Sequence, residues 1–181
     1  MGLIDLFPGF GRDQPLTEEN IQLYLAHLAV TNNPDYTIAK AGLRALASDP
    51  YSNHLSIQVP RQSGKTTWTR GWCENSNIRT LRVYPNTRAL RINEMVHTSL
   101  DLHKDLSVTE LIRPGVRLTY SEIDLVMFDD AQLYFNGSGN WDPDQYDRLC
   151  DEICYRAGNQ TPESILFVSL CTPSWMNASY A

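Results

Sequence analysis

The spacing of hydrophobic residues changes partway along the chain, after about residue 50. Between Thr17 and Ala47 apolar residues recur at helical spacing, which predicts a helix from Thr17, a good N-cap, to about Asn32 and a second helix over residues 35–47. Short apolar runs of strand length then alternate with helical segments. Strands are predicted at 54–59, 79–84, 116–120, 123–128 and 164–170, and helices at 65–74, 87–100 and 143–157. This alternation predicts an α/β fold with a mainly parallel sheet.

The chain length allows one full-sized domain. With 181 residues and 42% hydrophobic content, the chain can bury one core of ordinary size. We divide it into an arm and helix at 1–34, whose first sixteen residues are expected to be irregular, and a main domain at 35–181. No apolar run approaches the roughly 20 residues that span a bilayer, and the N-terminus lacks the pattern of a secretory signal. An intracellular protein without a membrane segment is therefore expected.

The charge balance limits the partners. The formal net charge is −6, whereas nucleic-acid-binding domains usually carry a basic face. Any contact with DNA must therefore be local or depend on another subunit. The one basic cluster is Arg79, Arg82, Arg88 and Arg91, which suits a DNA-facing strip, an arginine finger for a neighbouring subunit, or an ordinary solvated face.

The segment between the predicted strand 54–59 and the helix 65–74 carries the strongest chemical signal. It reads VPRQSGKTT and ends in the G-K-T of the phosphate-binding pattern G-x-x-x-x-G-K-[ST], although Val59 stands where that pattern begins with glycine. In such loops backbone N–H groups and a helix N-terminus surround the phosphates, the lysine reaches the β- and γ-phosphates, and the hydroxyl holds Mg²⁺. The predicted ATP-binding residues are Pro60, Arg61, Gln62, Ser63, Gly64, Lys65, Thr66 and Thr67.

An acidic pair follows the most apolar predicted strand. Asp129 and Asp130 come directly after IDLVMF, and open α/β sheets bind ligands at the carboxyl ends of their strands. We predict that Asp129 holds Mg²⁺ together with Thr66, and that Asp130 orients the attacking water. A strand that simply ends in an Asp-containing turn is the structural alternative. The upstream G-K-T segment favours the metal site.

Three segments together resemble the large terminase subunits of tailed bacteriophages, the motors that package DNA into capsids. VPRQSGKTT, with Arg61 inside the loop, is similar to their Walker A segment, which tolerates loss of the first glycine. FDDAQ resembles their Walker B segment with its catalytic acid, and SLCTPS, residues 169–174, resembles their coupling motif. The segments stand in the family's order, and the resemblance covers about residues 35–175. Asp130 stands where the family more commonly has Glu, so the side chain that carries the catalytic carboxylate is shorter.

The resemblance implies a role for each matching residue. Arg61 would contact the γ-phosphate or couple to it, while Lys65 and Thr66 would bind phosphate and Mg²⁺. Asp129 would bind the metal, and Asp130 would be the catalytic carboxylate. Ser169, Thr172 and Pro173 would couple hydrolysis to movement.

The resemblance also implies a fold and partners. The expected fold is a P-loop NTPase of the ASCE or RecA-like type, a three-layer sandwich that appears truncated after the coupling-motif strand and has no nuclease domain. The expected cofactors are ATP and Mg²⁺. The expected partners are double-stranded DNA, further copies in a homo-oligomeric ring, a separate nuclease-domain chain, a small terminase and a portal protein, all in the host cell cytoplasm.

Two other functions remain open at this point. FDDAQ also resembles helicase acidic boxes, so a helicase-like DNA translocase is one alternative, although helicases usually have Ser-Ala-Thr where this chain has the SLCTPS turn. The other alternative is a nucleotide-binding module without turnover that needs a separate partner chain.

Overall fold

A computed structural model describes residues 1–93, 103–113, 122–131, 143–158 and 160–172. The helices are α1 (Glu18–Val30), α2 (Tyr36–Ser48), α3 (Lys65–Glu74), α4 (Thr87–Asn93), α5 (Val108–Leu111) and α6 (Pro143–Arg156). The strands are β1 (His54–Gln58), β2 (Thr80–Tyr84), β3 (His103–Ser107), β4 (Leu125–Phe128) and β5 (Leu166–Cys171). No helix in these ranges is long and apolar enough to cross a membrane.

The five strands form one sheet in the order β1-β5-β4-β2-β3, and every neighbouring pair is parallel. The expected α/β fold with a parallel sheet is thereby confirmed. Since all strands run the same way, the segments that follow β1, β4 and β5 leave the sheet on the same side, at the carboxyl ends of the strands. β5 lies between β1 and β4, so the residues after β5 stand between the other two segments.

Alternating residues of the strands divide the core between the two faces of the sheet. Ile57 and Met127 belong to a cluster with residues of α1 and α2 on one face. Val126 and Phe167 belong to a second cluster with residues of α6 on the other face. β4 is buried along its whole length. This arrangement explains why residues 123–128 read as an almost continuous apolar run.

The N-terminal arm is more ordered than its sequence suggests. It contains a 3-10 turn at Leu3–Leu6, and Phe7 and Phe10 are buried in the first cluster. The Phe7 ring stacks on Trp68 of α3 with a centroid distance of 6.3 Å. The arm therefore contributes to the same core as β1 and contacts the helix that follows the predicted nucleotide loop.

The close packing of Phe7 against α2 leads to a stability prediction. A Cβ at Gly42 would lie 2.4 Å from Cζ of Phe7 and 3.2 Å from Cδ1 of Ile57. Gly42→Ala should therefore lower the free energy of unfolding by about 1–3 kcal/mol in urea titrations. Gly71→Ala is the matched control, because nothing lies within 4 Å of its Cβ and alanine favours the helix. Equal destabilisation by both variants would contradict this packing.

Several element bounds differ from the sequence prediction. β3 and α5 were not predicted, because HKDLS places charged residues where strand patterns normally show apolar ones. The strands β2, β4 and β5 each begin one or two residues later than predicted. The helix predicted at 87–100 is seen as α4, and its residues 94–100 lie outside the described ranges, as do the strand predicted at 116–120 and Pro173.

Candidate nucleotide site

The loop between β1 and α3 begins as a continuation of the sheet. Val59 is buried, and its N–H donates to the Cys171 carbonyl at 3.0 Å. A valine at the first position of the phosphate-binding pattern therefore extends β1 where the usual glycine would allow a turn. Gln62 and Gly64 then adopt left-handed φ angles of 62° and 80°. Because φ above zero is costly for a residue with a side chain, the loop holds Gln62 in a strained conformation.

Gly64 is the N-cap of α3. Its carbonyl accepts a hydrogen bond from the Trp68 N–H at 2.8 Å. Apart from its chain neighbours, no heavy atom of the described residues lies within 4 Å of the position that a Cβ would occupy. The first N–H groups of a helix have no partner within the helix and carry the positive end of its dipole. Open space beside these groups is the physical requirement for binding a phosphate.

Lys65 joins the loop to two other strand ends. Its side chain is buried, with 8% exposed, yet it retains two polar contacts. The Nζ atom donates to Oγ1 of Thr172 at 2.7 Å and lies 3.5 Å from Oδ1 of Asp130. Thr172 follows β5 and Asp130 follows β4, so a single ammonium group connects the β1–α3 loop to both strands.

Thr66 and Asp129 form a second connection between the same elements. The Thr66 hydroxyl donates to Oδ2 of Asp129 at 2.5 Å, and the Asp129 carboxyl is buried. Burial raises the pKa of Asp129, although the hydrogen bond from Thr66 opposes that shift and Asp130 reinforces it. A cation beside this carboxylate would offset the cost of its buried charge.

The oxygen ligands suit Mg²⁺. Thr66 and Asp129 provide a hydroxyl and a carboxylate oxygen, and Mg²⁺ typically takes one or two such protein ligands together with water and phosphate oxygens. In the described ranges no group of three His, Cys, Asp or Glu side chains is gathered that could hold a metal by itself.

Asp130 differs from its neighbour in exposure. Its φ angle is 49°, in the left-handed region, and its side chain is 42% exposed. This turn directs the chain away from β4 immediately after Asp129. The carboxylate therefore lies at the boundary between Lys65 and solvent, where water can reach it.

The predicted coupling residues separate in space. Thr172 is buried and contacts Lys65, as described above. Ser169 lies within β5, in register with Ser56 and Phe128, and its side chain is hydrogen-bonded to Tyr146 of α6. Ser169 thus contacts α6, while Pro173 lies outside the described residues.

The remaining predicted loop residues line the outside of the turn. Arg61, Gln62 and Thr67 are exposed, and Pro60 is half-buried. The Ser63 hydroxyl donates to the Pro60 carbonyl, which closes the turn internally. Arg61 is thus an exposed residue of the loop.

The four arginines grouped by sequence do not form one basic strip. Arg79 is ion-paired with Glu122 and Asp124. Arg82 is buried and paired with Asp105, whereas Arg88 and Arg91 are exposed on α4. Arg82 cannot belong to a DNA-facing strip or to a solvated face, because β2 is buried along its whole length.

A buried polar cluster behind the candidate site was not predicted. Nε and Nη2 of Arg82 donate to the two carboxylate oxygens of Asp105 at 2.8 and 2.7 Å, and the guanidinium lies 5.4 Å from the centroid of the Tyr84 ring. Burial raises the pKa of Tyr84, an effect that Arg82 opposes and that the Asp105 and Asp129 carboxylates reinforce. The available sequence signal was an arginine in TLRVY and an aspartate in HKDLS, two segments of strand length.

Comparison with known proteins identifies no relative. No protein-family model, curated protein or solved structure matches the chain significantly. The terminase resemblance therefore depends on three short segments and on the way the sheet brings them together.

Proposed function

We propose that this chain binds ATP with Mg²⁺ at the carboxyl edge of its sheet and hydrolyses it. The observation that carries the proposal is the convergence of the ends of β4 and β5 on the β1–α3 loop. Lys65 contacts Thr172 and Asp130, and Thr66 contacts Asp129. These five residues come from three separate regions of the sequence. Their side-chain types match those needed to hold a triphosphate, a divalent cation and a water molecule.

Each residue has a defined task in this proposal. The phosphates occupy the open space beside Gly64, where the N-terminal amides of α3 and the Lys65 ammonium bind them. Thr66 and Asp129 hold Mg²⁺, which neutralises charge on the phosphates. Asp130, on the solvent side of Lys65, orients the attacking water, and Arg61 reaches the γ-phosphate from the mouth of the loop.

Binding of phosphate would change the contacts of Lys65. In the present structure its ammonium is shared between the Thr172 hydroxyl and the Asp130 carboxylate. A γ-phosphate competes for the same three N–H donors. Loss of the Lys65–Thr172 hydrogen bond would release the end of β5. Nucleotide binding would thereby act directly on the coupling segment.

At a finer level, we propose a P-loop NTPase fold of the ASCE or RecA-like type and a terminase-like role, in which hydrolysis drives DNA into a capsid. The strand order β1-β5-β4 supports this assignment, because the strand that carries the coupling segment lies between the loop-bearing strand and the acidic strand. This proposal includes Mg²⁺ and ATP as cofactors. It also includes double-stranded DNA and a ring of identical subunits as partners, and a location in the host cytoplasm. The net charge of −6 favours DNA contact through a limited surface or another subunit.

A nucleotide-binding module without turnover is the second candidate. It is favoured by the position of Asp130, which is 3.5 Å from the Lys65 ammonium in a left-handed turn. A carboxylate that remained ion-paired to the lysine would not orient water. This candidate predicts ATP binding without phosphate release, even with DNA present.

Replacement of the buried carboxylate tests the proposal. Asp129→Asn keeps the side-chain shape but removes the charge that binds the cation, so Mg²⁺-dependent phosphate release should fall at least about a hundredfold. Asp151→Asn, at an exposed position on α6, is the matched control and should retain full turnover. Hydrolysis by the Asp129→Asn chain at the wild-type rate would rule out the proposed site. Tight ATP binding without turnover in the wild-type chain would support the second candidate.

A further inference from the structure

Arg82 lies between two buried carboxylates on one face of the sheet. In the register of the strands it stands beside Asp105 on β3 and beside Met127 on β4. Asp129 follows Met127 by two residues, and its N–H donates to a carbonyl of β2 at 2.9 Å, so the pairing of β2 with β4 extends to Asp129. Residues in register, and residues two apart in one strand, point to the same face. Arg82, Asp105 and Asp129 therefore share the face on which Thr66 of α3 contacts Asp129.

The guanidinium of Arg82 has a choice between these two carboxylates. Strands about 4.8 Å apart and a rise of about 6.6 Å over two residues place the backbones of Arg82 and Asp129 roughly 8 Å apart. Long side chains span such diagonal positions. Arg82 instead directs Nε and Nη2 to the two carboxylate oxygens of Asp105, at 2.8 and 2.7 Å. The guanidinium is thus held on the β3 side of β2.

Burial makes the choice of partner important for the candidate metal site. The side chains of Arg82 and Asp105 are 1% and 6% exposed, and Asp129 is also buried. A buried guanidinium is costly without a carboxylate partner. If it bound Asp129, it would occupy the oxygens and balance the charge that a cation needs. Arg82 and Mg²⁺ are therefore potential competitors for one carboxylate.

We propose that Asp105 is a positioning residue that holds Arg82 away from Asp129 and so keeps the Asp129 carboxylate available to Mg²⁺. The inference rests on the proposed role of Asp129 in Mg²⁺ binding and extends that role to a residue of another strand. Asp105 acts through Arg82, because a bidentate pair with a planar guanidinium fixes both the direction and the position of the cation.

Mg²⁺ titration of the full chain in the presence of a fluorescent ATP analogue tests the inference without requiring turnover. Asp105→Asn leaves Arg82 without its carboxylate, so the guanidinium turns to Asp129. The Mg²⁺ concentration that gives half-maximal binding of the analogue should then rise at least about tenfold, the usual effect of removing a group that supports a metal ligand. Arg82→Met combined with Asp105→Asn removes the competing cation and should restore the wild-type value. Circular dichroism establishes that each chain is folded under the conditions of the titration.

Arg82→Lys provides a second test that retains the positive charge and therefore remains informative if Asp105→Asn does not fold. An ammonium lacks the planar fork that fixes arginine on Asp105, so it also reaches Asp129 and should raise the Mg²⁺ requirement at least about threefold. A role of Asp105 in stability alone predicts an unchanged Mg²⁺ requirement in every variant that folds.

The matched control is Asp124→Asn, which removes a carboxylate from the partly exposed pair with Arg79 and should leave the Mg²⁺ requirement unchanged. A wild-type Mg²⁺ requirement in the folded Asp105→Asn and Arg82→Lys chains would overturn the inference. A double variant that stays as weak as Asp105→Asn would overturn it too. Asp129→Asn separates these results from a failure of the proposed function, because an unchanged Mg²⁺ response in that chain would refute the metal site itself.

Discussion

Lys65→Ala is expected to lower ATP hydrolysis at least about a hundredfold, the loss that follows removal of one preorganised donor to developing negative charge. The ammonium contacts both Thr172 and Asp130. Its removal eliminates the charge that would bind the β- and γ-phosphates. It also eliminates the hydrogen bond through which nucleotide would act on the end of β5. Phosphate release under saturating Mg²⁺ and ATP measures the first effect.

The matched control is Lys40→Ala, which removes an ammonium from an exposed position on α2. It should leave hydrolysis unchanged, because it alters net charge by the same amount without touching the loop. A fluorescent ATP analogue separates binding from turnover in both variants. Equal turnover by the Lys65→Ala and Lys40→Ala chains would exclude the β1–α3 loop as the catalytic site.

Arg82→Met is expected to cause the largest loss of stability, about 3–5 kcal/mol in the free energy of unfolding. The side chains of Arg82 and Asp105 are only 1% and 6% exposed. Removal of the guanidinium would leave the Asp105 carboxylate buried without its bidentate partner. Urea unfolding at neutral pH measures the loss.

Two further variants test the cause of that loss. Arg79→Met breaks a pair whose members are 35% and 39% exposed, and it should cost no more than about 1 kcal/mol. The double variant Arg82→Met with Asp105→Leu should recover much of the lost stability, because no uncompensated charge remains. If Arg82→Met were as mild as Arg79→Met, the pair would not be buried in solution.

The elements with a strong local pattern were predictable from sequence. α3 begins at Lys65, as the G-K-T segment indicates, and β4 is the buried strand that IDLVMF predicts. β3 was not predicted because it contains charged residues. Asp105 becomes compatible with a buried strand only through its ion pair with Arg82 on β2. The arm was predicted to be irregular because the apolar residues that pack against Phe7 and Phe10 belong to other elements.

Strand geometry decides which of the predicted coupling residues reaches the candidate site. Ser169 and Thr172 are close in sequence, but strand alternation and the end of β5 send them to different neighbours, Tyr146 and Lys65. Likewise, the arginines that are clustered in sequence lie in different surroundings, because β2 is buried along its whole length whereas α4 exposes Arg88 and Arg91. Sequence spacing alone does not state which side of a strand faces the core until the strand's neighbours are known.

The sequence by itself determined the α/β alternation, the parallel sheet, and the residue types of the loop and the acidic pair, because these follow from periodicity and short-range backbone preferences. Only the tertiary structure decided that β5 lies between β1 and β4 and that Lys65 contacts Thr172 and Asp130. Those facts depend on contacts between residues far apart in the chain, which no local pattern encodes.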